Sequence, residues 1–183
     1  MRFVVWAPAY DEMSGGSVAL HKLAANLRDM NQDVRMGPQG TANPWGVPAV
    51  EQWEMLGMAR DWVAVYPEGV AGNPFGVAHV VRWLLNTPGA LSPAQAFGPD
   101  DVLFRFADYF DVPDGYFGQL AGELRALDFR LDLFHDEGFA RSGGCYLLRK
   151  GKYNLDDPAF VAQKRDIEQY LPPHLAGYQW LEY

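Results

Sequence analysis

The chain has 183 residues, 49% hydrophobic and 21% charged, which suits one soluble domain with a substantial core. Its net charge of -8 argues against a nucleic-acid backbone or a polybasic membrane contact as partner. A lone cysteine, Cys145, excludes an internal disulfide and a cysteine-based zinc cluster. No apolar run reaches the roughly 18 residues of a transmembrane segment, and Phe3-Val4-Val5-Trp6-Ala7 is too short for a secretory leader. A reducing, cytoplasmic location is expected. The 14% of aromatic residues fits a dense core and equally fits a surface that lines sugars or bases, so it decides nothing alone.

Arg2 to Ala7 is a short apolar run bounded by Pro8 and reads as a fully buried strand. Tyr10 to Gly16 is a polar loop ending in two glycines, and Ser14 is placed to cap the helix after it. From Gly16 to about Met30, Leu20, Leu23, Ala24 and Leu27 recur at helical spacing, and Asn31 ends the helix. Asp33 to Gly37 reads as a second strand, which completes a strand–loop–helix–strand unit and favours a parallel sheet. Residues 37–48 form a Gly-, Pro- and Asn-rich loop, and residues 49–60 are expected to be helical. Trp62 to Tyr66 is the third strand, ended by Pro67, and residues 69–76 are turn-rich.

The apolar set Val77, Val80, Val81 and Leu84 predicts a helix over 78–86, with His79, Arg82 and Asn86 on its opposite face and Thr87-Pro88-Gly89 as its stop. Further on, Asp101 to Phe106, Leu131 to Phe134 and Cys145 to Leu148 read as strands, and Asp157 to Tyr170 as a helix ended by Pro172-Pro173. The alternation of strands and helices predicts an α/β, Rossmann-like domain with a mainly parallel sheet flanked by helices. One such domain is expected over 1–183, with 171–183 a linker.

The first loop joins a buried strand to a helix, so it belongs at the carboxyl edge of the sheet, where open α/β sheets bind ligands. Gly15 and Gly16 bare backbone N–H groups at a helix N-terminus, a setting that suits an anion such as a diphosphate. Asp11 and Glu12 supply carboxylates that can act as a base on a hydroxyl. The structural alternative is a capped turn, with Ser14 as N-cap and the acids complementing the dipole. His21, one turn into the helix, is either a packing histidine or a side chain facing the same crevice. The loop Tyr66-Pro67-Glu68 through Gly72-Asn73-Pro74 comes after the third strand and shares that edge. Glu68 can hold hydroxyls there, although Gly72-Asn73-Pro74 makes sense as turn chemistry alone. Arg82 and Asn86 stand four apart on the expected helix, a solvated pair or a ligand contact. Arg149-Lys150 ends a strand and can meet a phosphate, and Cys145 reads as core. The four histidines show no metal-ligand spacing, and no G-x-G-x-x-G, G-x-S-x-G or P-loop motif occurs.

Tyr10-Asp11-Glu12-Met13-Ser14-Gly15-Gly16 with Leu20-His21-Lys22-Leu23 resembles the opening of a group of bacterial and viral glycosyltransferases, which carry a Y-D-E-x-S-G-G-x-x-x-L-H-x-L pattern. Tyr66-Pro67-Glu68, Gly72-Asn73-Pro74 and Val80 to Gly89 resemble the group's Y-P-E, G-N-P and V-V-R-W-L-L-N-x-P-G segments. Cys145 to Gly151 resembles a further shared segment, so the likeness runs in order over residues 1 to about 151. The resemblance implies a GT-B architecture of two Rossmann-like domains and transfer of a sugar from a nucleotide-linked donor to a glycan or glycoconjugate acceptor. It implies no bound metal and no cofactor beyond the donor itself. It further implies that the N-terminal domain holds the acceptor while the glycine loop reaches toward the donor phosphates. On that basis Gly15 and Gly16 meet phosphate. Glu12 or Asp11 is the base, with His21 and Glu68 in support. Tyr10, Ser14, Asn73 and Arg82 complete the substrate contacts. The chain stops at Tyr183, before any second such domain, and three explanations are open: a piece of a longer enzyme, a subunit that needs a partner for the donor half, or a binding module without catalysis. An exposed Trp180 and Tyr183 would mark 171–183 as a linker. An unrelated Rossmann-type hydrolase or epimerase is the weaker alternative, since no matching nucleophile or cofactor fingerprint is present.

Overall fold

The computed structural model describes residues 1–38, 43–51, 61–90, 93, 95–116, 118–129, 135, 136 and 138. The chain divides into two compact units, Met1–Asp128 and Phe129–Tyr183. All the described strands and the described helix lie in the first. In the second, Phe129 is exposed and the Gly138 N–H donates to Asp136 Oδ1 at 2.9 Å. Most of the expected helix at 49–60, the strands at 131–134 and 145–148, the helix at 157–170, Arg149-Lys150 and the linker with Trp180 and Tyr183 fall outside the described residues.

The first unit runs β1 (Arg2–Trp6), α1 (Gly15–Asp29), β2 (Asp33–Gly37), β3 (Trp62–Pro67), β4 (His79–Leu84), β5 (Val102–Arg105) and β6 (Gln119–Glu123). The strands form one six-stranded sheet in the order β2-β1-β3-β4-β5-β6, and every neighbouring pair is parallel. A parallel α/β sheet of Rossmann-like kind is therefore present, as the sequence predicts. Its central strands are buried on both sides, which is why they read as unbroken apolar runs. Side chains alternate between two cores. Val5, Val65 and Trp83 pack with α1 on one face, while Val4, Ala64, Tyr66 and Val80 pack with Phe75 and Val77 on the other.

The end of α1 matches the sequence closely. Asn31 has φ of 60°, and its N–H donates to the Arg28 carbonyl at 2.8 Å while Gln32 N–H donates to that of Leu27 at 3.1 Å. This paired closure places an asparagine in the left-handed region, which it tolerates better than other residues with a side chain. Gly37, at the far end of β2, has a packing reason to be glycine. A Cβ there would lie 2.7 Å from Phe75 Cζ and 2.9 Å from Val50 Cγ1.

One expected helix is instead a strand. Residues 79–84 form β4, paired with β3 from Val63↔His79 to Pro67↔Trp83 and with β5 from Val81↔Val102 to Leu84↔Arg105. The spacing of Val77, Val80, Val81 and Leu84 fits a helix, but a strand covered on both faces also presents a short apolar run, and periodicity does not separate the two. The β-branched Val80-Val81 pair and Trp83 favour the strand. Arg82 is consequently not on a solvated helix face with Asn86. It is 1% exposed, inside the sheet's second core. The connection 68–78 from β3 to β4 is irregular, and it covers its face with Phe75 and Val77 where a crossover helix would commonly do so.

Candidate functional site at the carboxyl edge

Strand β1 is the point where the strand order reverses. The chain leaves β1 for β2 on one side and returns to β3 on the other. The connection after β1 becomes α1 on one face, and the connection after β3 covers the opposite face with Phe75 and Val77. The carboxyl ends of β1 and β3 thus open between two diverging connections, the place where doubly wound sheets form a crevice. Both loops singled out in the sequence, Tyr10–Gly16 and Tyr66–Pro74, lie at the ends of these strands.

The first loop is shaped by its own polar groups. Asp11 Oδ1 accepts from Met13 N–H at 2.9 Å, and Ser14 N–H donates to the Asp11 carbonyl at 3.2 Å, which closes a tight turn. Ser14 Oγ accepts from Ser17 N–H at 3.3 Å, so the expected N-cap is present. Gly15 and Gly16 are the first two residues of α1, and a helix cannot satisfy its leading N–H groups itself. A Cβ on Gly15 would meet nothing within 4 Å, and one on Gly16 would meet only Leu85 Cδ1 at 3.8 Å. Neither glycine is required by packing among the described residues. Asp11 and Glu12 are exposed, and Tyr10 is half-buried.

Glu68 joins this loop through β4. Its Oε2 accepts from Leu85 N–H at 3.0 Å, and Leu85 is the residue that a side chain added at Gly16 would meet. The glycine loop, the end of β4 and Glu68 therefore meet at one stretch of the edge. Glu68 serves there as an acceptor for the backbone. Just beyond, Asn86 Oδ1 accepts from Thr87 N–H at 2.8 Å.

Two expected contacts are used elsewhere. Asn73 Oδ1 accepts from Tyr66 Oη at 2.9 Å, and its Nδ2 donates to the Val77 carbonyl at 2.7 Å, so it braces the 72–77 turn. Tyr66 Oη also accepts from Phe75 N–H at 2.9 Å. Burial pushes the Tyr66 phenol up to about 12, which keeps it neutral in this role. Arg82 Nε lies 2.7 Å from Asp101 Oδ2, Nη1 donates to the Val70 carbonyl at 2.8 Å, and Nη2 donates to that of Gly72. The guanidinium also faces the rings of Tyr66 and Phe97. Asp101 Oδ2 accepts as well from Gly98 N–H at 2.9 Å. The place expected to bind substrate is thus an internal tie between the 70–72 loop, β4 and the start of β5.

His21 is fully buried. Its Nε2 is 3.0 Å from the Pro8 carbonyl, and its ring meets Tyr10 edge-on at 5.3 Å. Burial holds the imidazole below its usual 6.5, and the Pro8 carbonyl opposes that shift. Two further residues bear on the loop. Ser17, 2% exposed, accepts from Asp11 N–H at 3.0 Å and donates to the Ala9 carbonyl at 3.2 Å. The signal in the sequence was a serine leading the apolar stripe of Leu20 and Ala24. Trp45 meets Tyr10 edge-on at 5.7 Å and lies under the Lys22 ammonium at 5.2 Å. Nothing in the 37–48 loop sequence marks Trp45 for that position.

Among the described residues, no three or more His, Cys, Asp or Glu side chains are grouped as metal ligands. No helix among them is long and apolar enough to cross a membrane. No family model, curated protein or solved structure matches the chain.

Proposed function

We propose that this chain is a glycosyltransferase, or the acceptor-side half of a GT-B enzyme, that moves a sugar from a nucleotide-linked donor to a glycan or glycoconjugate acceptor. The observation that carries this reading is the position of the Tyr10–Gly16 loop. The segment that resembles the transferase signature lies at the reversal point of a parallel sheet and opens a capped helix with two glycines. The leading N–H groups and the dipole of α1 would stabilise charge developing on a departing diphosphate. Glu12, exposed in the turn, is the preferred base for an acceptor hydroxyl, while Asp11 shapes the turn through Met13 N–H. Glu68 orders the edge through Leu85.

The test is transfer of labelled sugar from a panel of nucleotide sugars by the full chain. Loss of a general base typically costs about 100- to 10,000-fold in rate, so Glu12→Ala should fall by at least the lower figure. Undiminished transfer by both Asp11→Ala and Glu12→Ala would end the base assignment. One observation favours a binding module without chemistry: the carboxylates of Asp11 and Glu68 both accept backbone N–H groups. Saturable binding of nucleotide sugar with neither transfer nor hydrolysis would select that reading.

A further inference from the structure

Helix α1 grips the entry to the loop with two side chains one turn apart, both on its buried face. Ser17 takes the Ala9 carbonyl and the Asp11 N–H, and His21 takes the Pro8 carbonyl. A carbonyl only accepts, so the proton between Pro8 and His21 belongs to Nε2. The other ring nitrogen, Nδ1, is buried and has no hydrogen-bond partner among the described residues. In a neutral ring Nδ1 is a bare lone pair. In a protonated ring it becomes an N–H carrying positive charge, buried with no acceptor, and that is a far larger desolvation cost.

We propose that His21 is a proton-controlled latch: its neutral ring holds the Pro8–Gly16 segment against α1, and protonation releases that segment. The ionisable groups around it do not remove the asymmetry. Tyr10 packs its ring at 78° to the imidazole, and Asp11 Oδ1 is engaged by Met13 N–H. On the helix, the Lys22 ammonium lies 3.2 Å from Asp128 and over Trp45. From the 43–47 turn, Trp45 contributes a ring to Tyr10 and a carbonyl to Arg28. The direction of the pH dependence comes from the depressed pKa of the closed state. An open loop takes up a proton near 6.5, whereas the closed loop resists it. The latch is at full strength above that pH and weakens as pH falls through it, until the closed form itself is protonated. The latch does not depend on what the loop binds, so its test and that of the transferase reading fail separately.

The experiment measures amide exchange of Asp11, Met13 and Ser14 in the full chain from pH 7.5 to 5.0, corrected for intrinsic exchange. One coupled proton should raise the opening constant of these amides by up to about tenfold per pH unit below about 6.5. Amides of β1 and β3 should show no such slope. His21→Gln keeps a donor for Pro8 but cannot titrate, and it should give the neutral-pH protection at every pH. The 15N shifts of the wild-type ring should report an Nε2–H tautomer that titrates below free histidine. That last readout stands even if the variant fails to fold. A pH-independent opening constant in the wild type, an equal slope in His21→Gln, or a ring that titrates at or above 6.5 would overturn the latch.

Discussion

His21 and Arg82 are both buried polar side chains flanking the sheet, one on each face, and they are satisfied to different degrees. Arg82 gives its guanidinium to Asp101, Val70 and Gly72 and lies over the rings of Tyr66 and Phe97. Tyr116 extends the same network by donating to the Asp101 carbonyl, and burial first and Asp101 second raise its phenol pKa. His21 makes one hydrogen bond and leaves one nitrogen without a partner among the described residues. A buried group with its main partners in place ties elements together through all of them. One that is half-paired is stable in one protonation state. The second face of the sheet is therefore built as a fixed support, and the first face holds the loop whose position can change.

The largest effect should come from breaking the fixed side. Arg82→Met leaves Asp101 buried without its cation and should cost about 3–5 kcal/mol in denaturant unfolding. Adding Asp101→Asn to that variant keeps an acceptor for Gly98 N–H and should recover much of the loss. If Arg82→Met unfolds like the wild type, the tie is not structural and a ligand role for Arg82 returns. A smaller effect is expected at the loop itself. Ser14→Ala removes the cap on Ser17 N–H and should cost about 1 kcal/mol. The smallest effect should have the opposite sign. Gly15→Ala meets no neighbour and should stabilise the helix by less than about 1 kcal/mol. A stabilised Gly15→Ala variant with weakened ligand binding would separate the loop's function from its folding. Unchanged binding would leave Gly15 without a functional reason.

The same division governs how far the sequence could be read. The first face depends on local signals. Ser14 before a periodic run, Asn31 after it and a buried strand on each side suffice to place β1, α1 and β2 within a residue or so. The second face depends on partners distant in sequence. Arg82 meets Asp101 nineteen positions on, and Tyr66 meets Asn73 and Phe75 across a turn. Helical spacing of the valines around Arg82 outweighed their β-branching because nothing local shows that a strand will be covered on both faces. In the candidate site, the glycine loop and Glu68 share one edge because they come after neighbouring parallel strands, and a strand-helix alternation in the sequence predicts that. The sequence could not show that Glu68 would be used on Leu85 N–H, or that Trp45 would reach Tyr10. Those contacts depend on how the connections after β3 and β2 return to the sheet.

If the chain is a transferase of the proposed kind, the Tyr10–Gly16 loop receives the phosphates of an activated donor at the N-terminus of α1. Titration of the 15N-labelled full chain with uridine and guanosine diphosphates examines that contact at the atoms concerned. Saturable shifts of the Gly15 and Gly16 amide resonances are expected with at least one of the two. Resonances that stay fixed at Gly15 and Gly16 through millimolar diphosphate, whether or not others move, would contradict it.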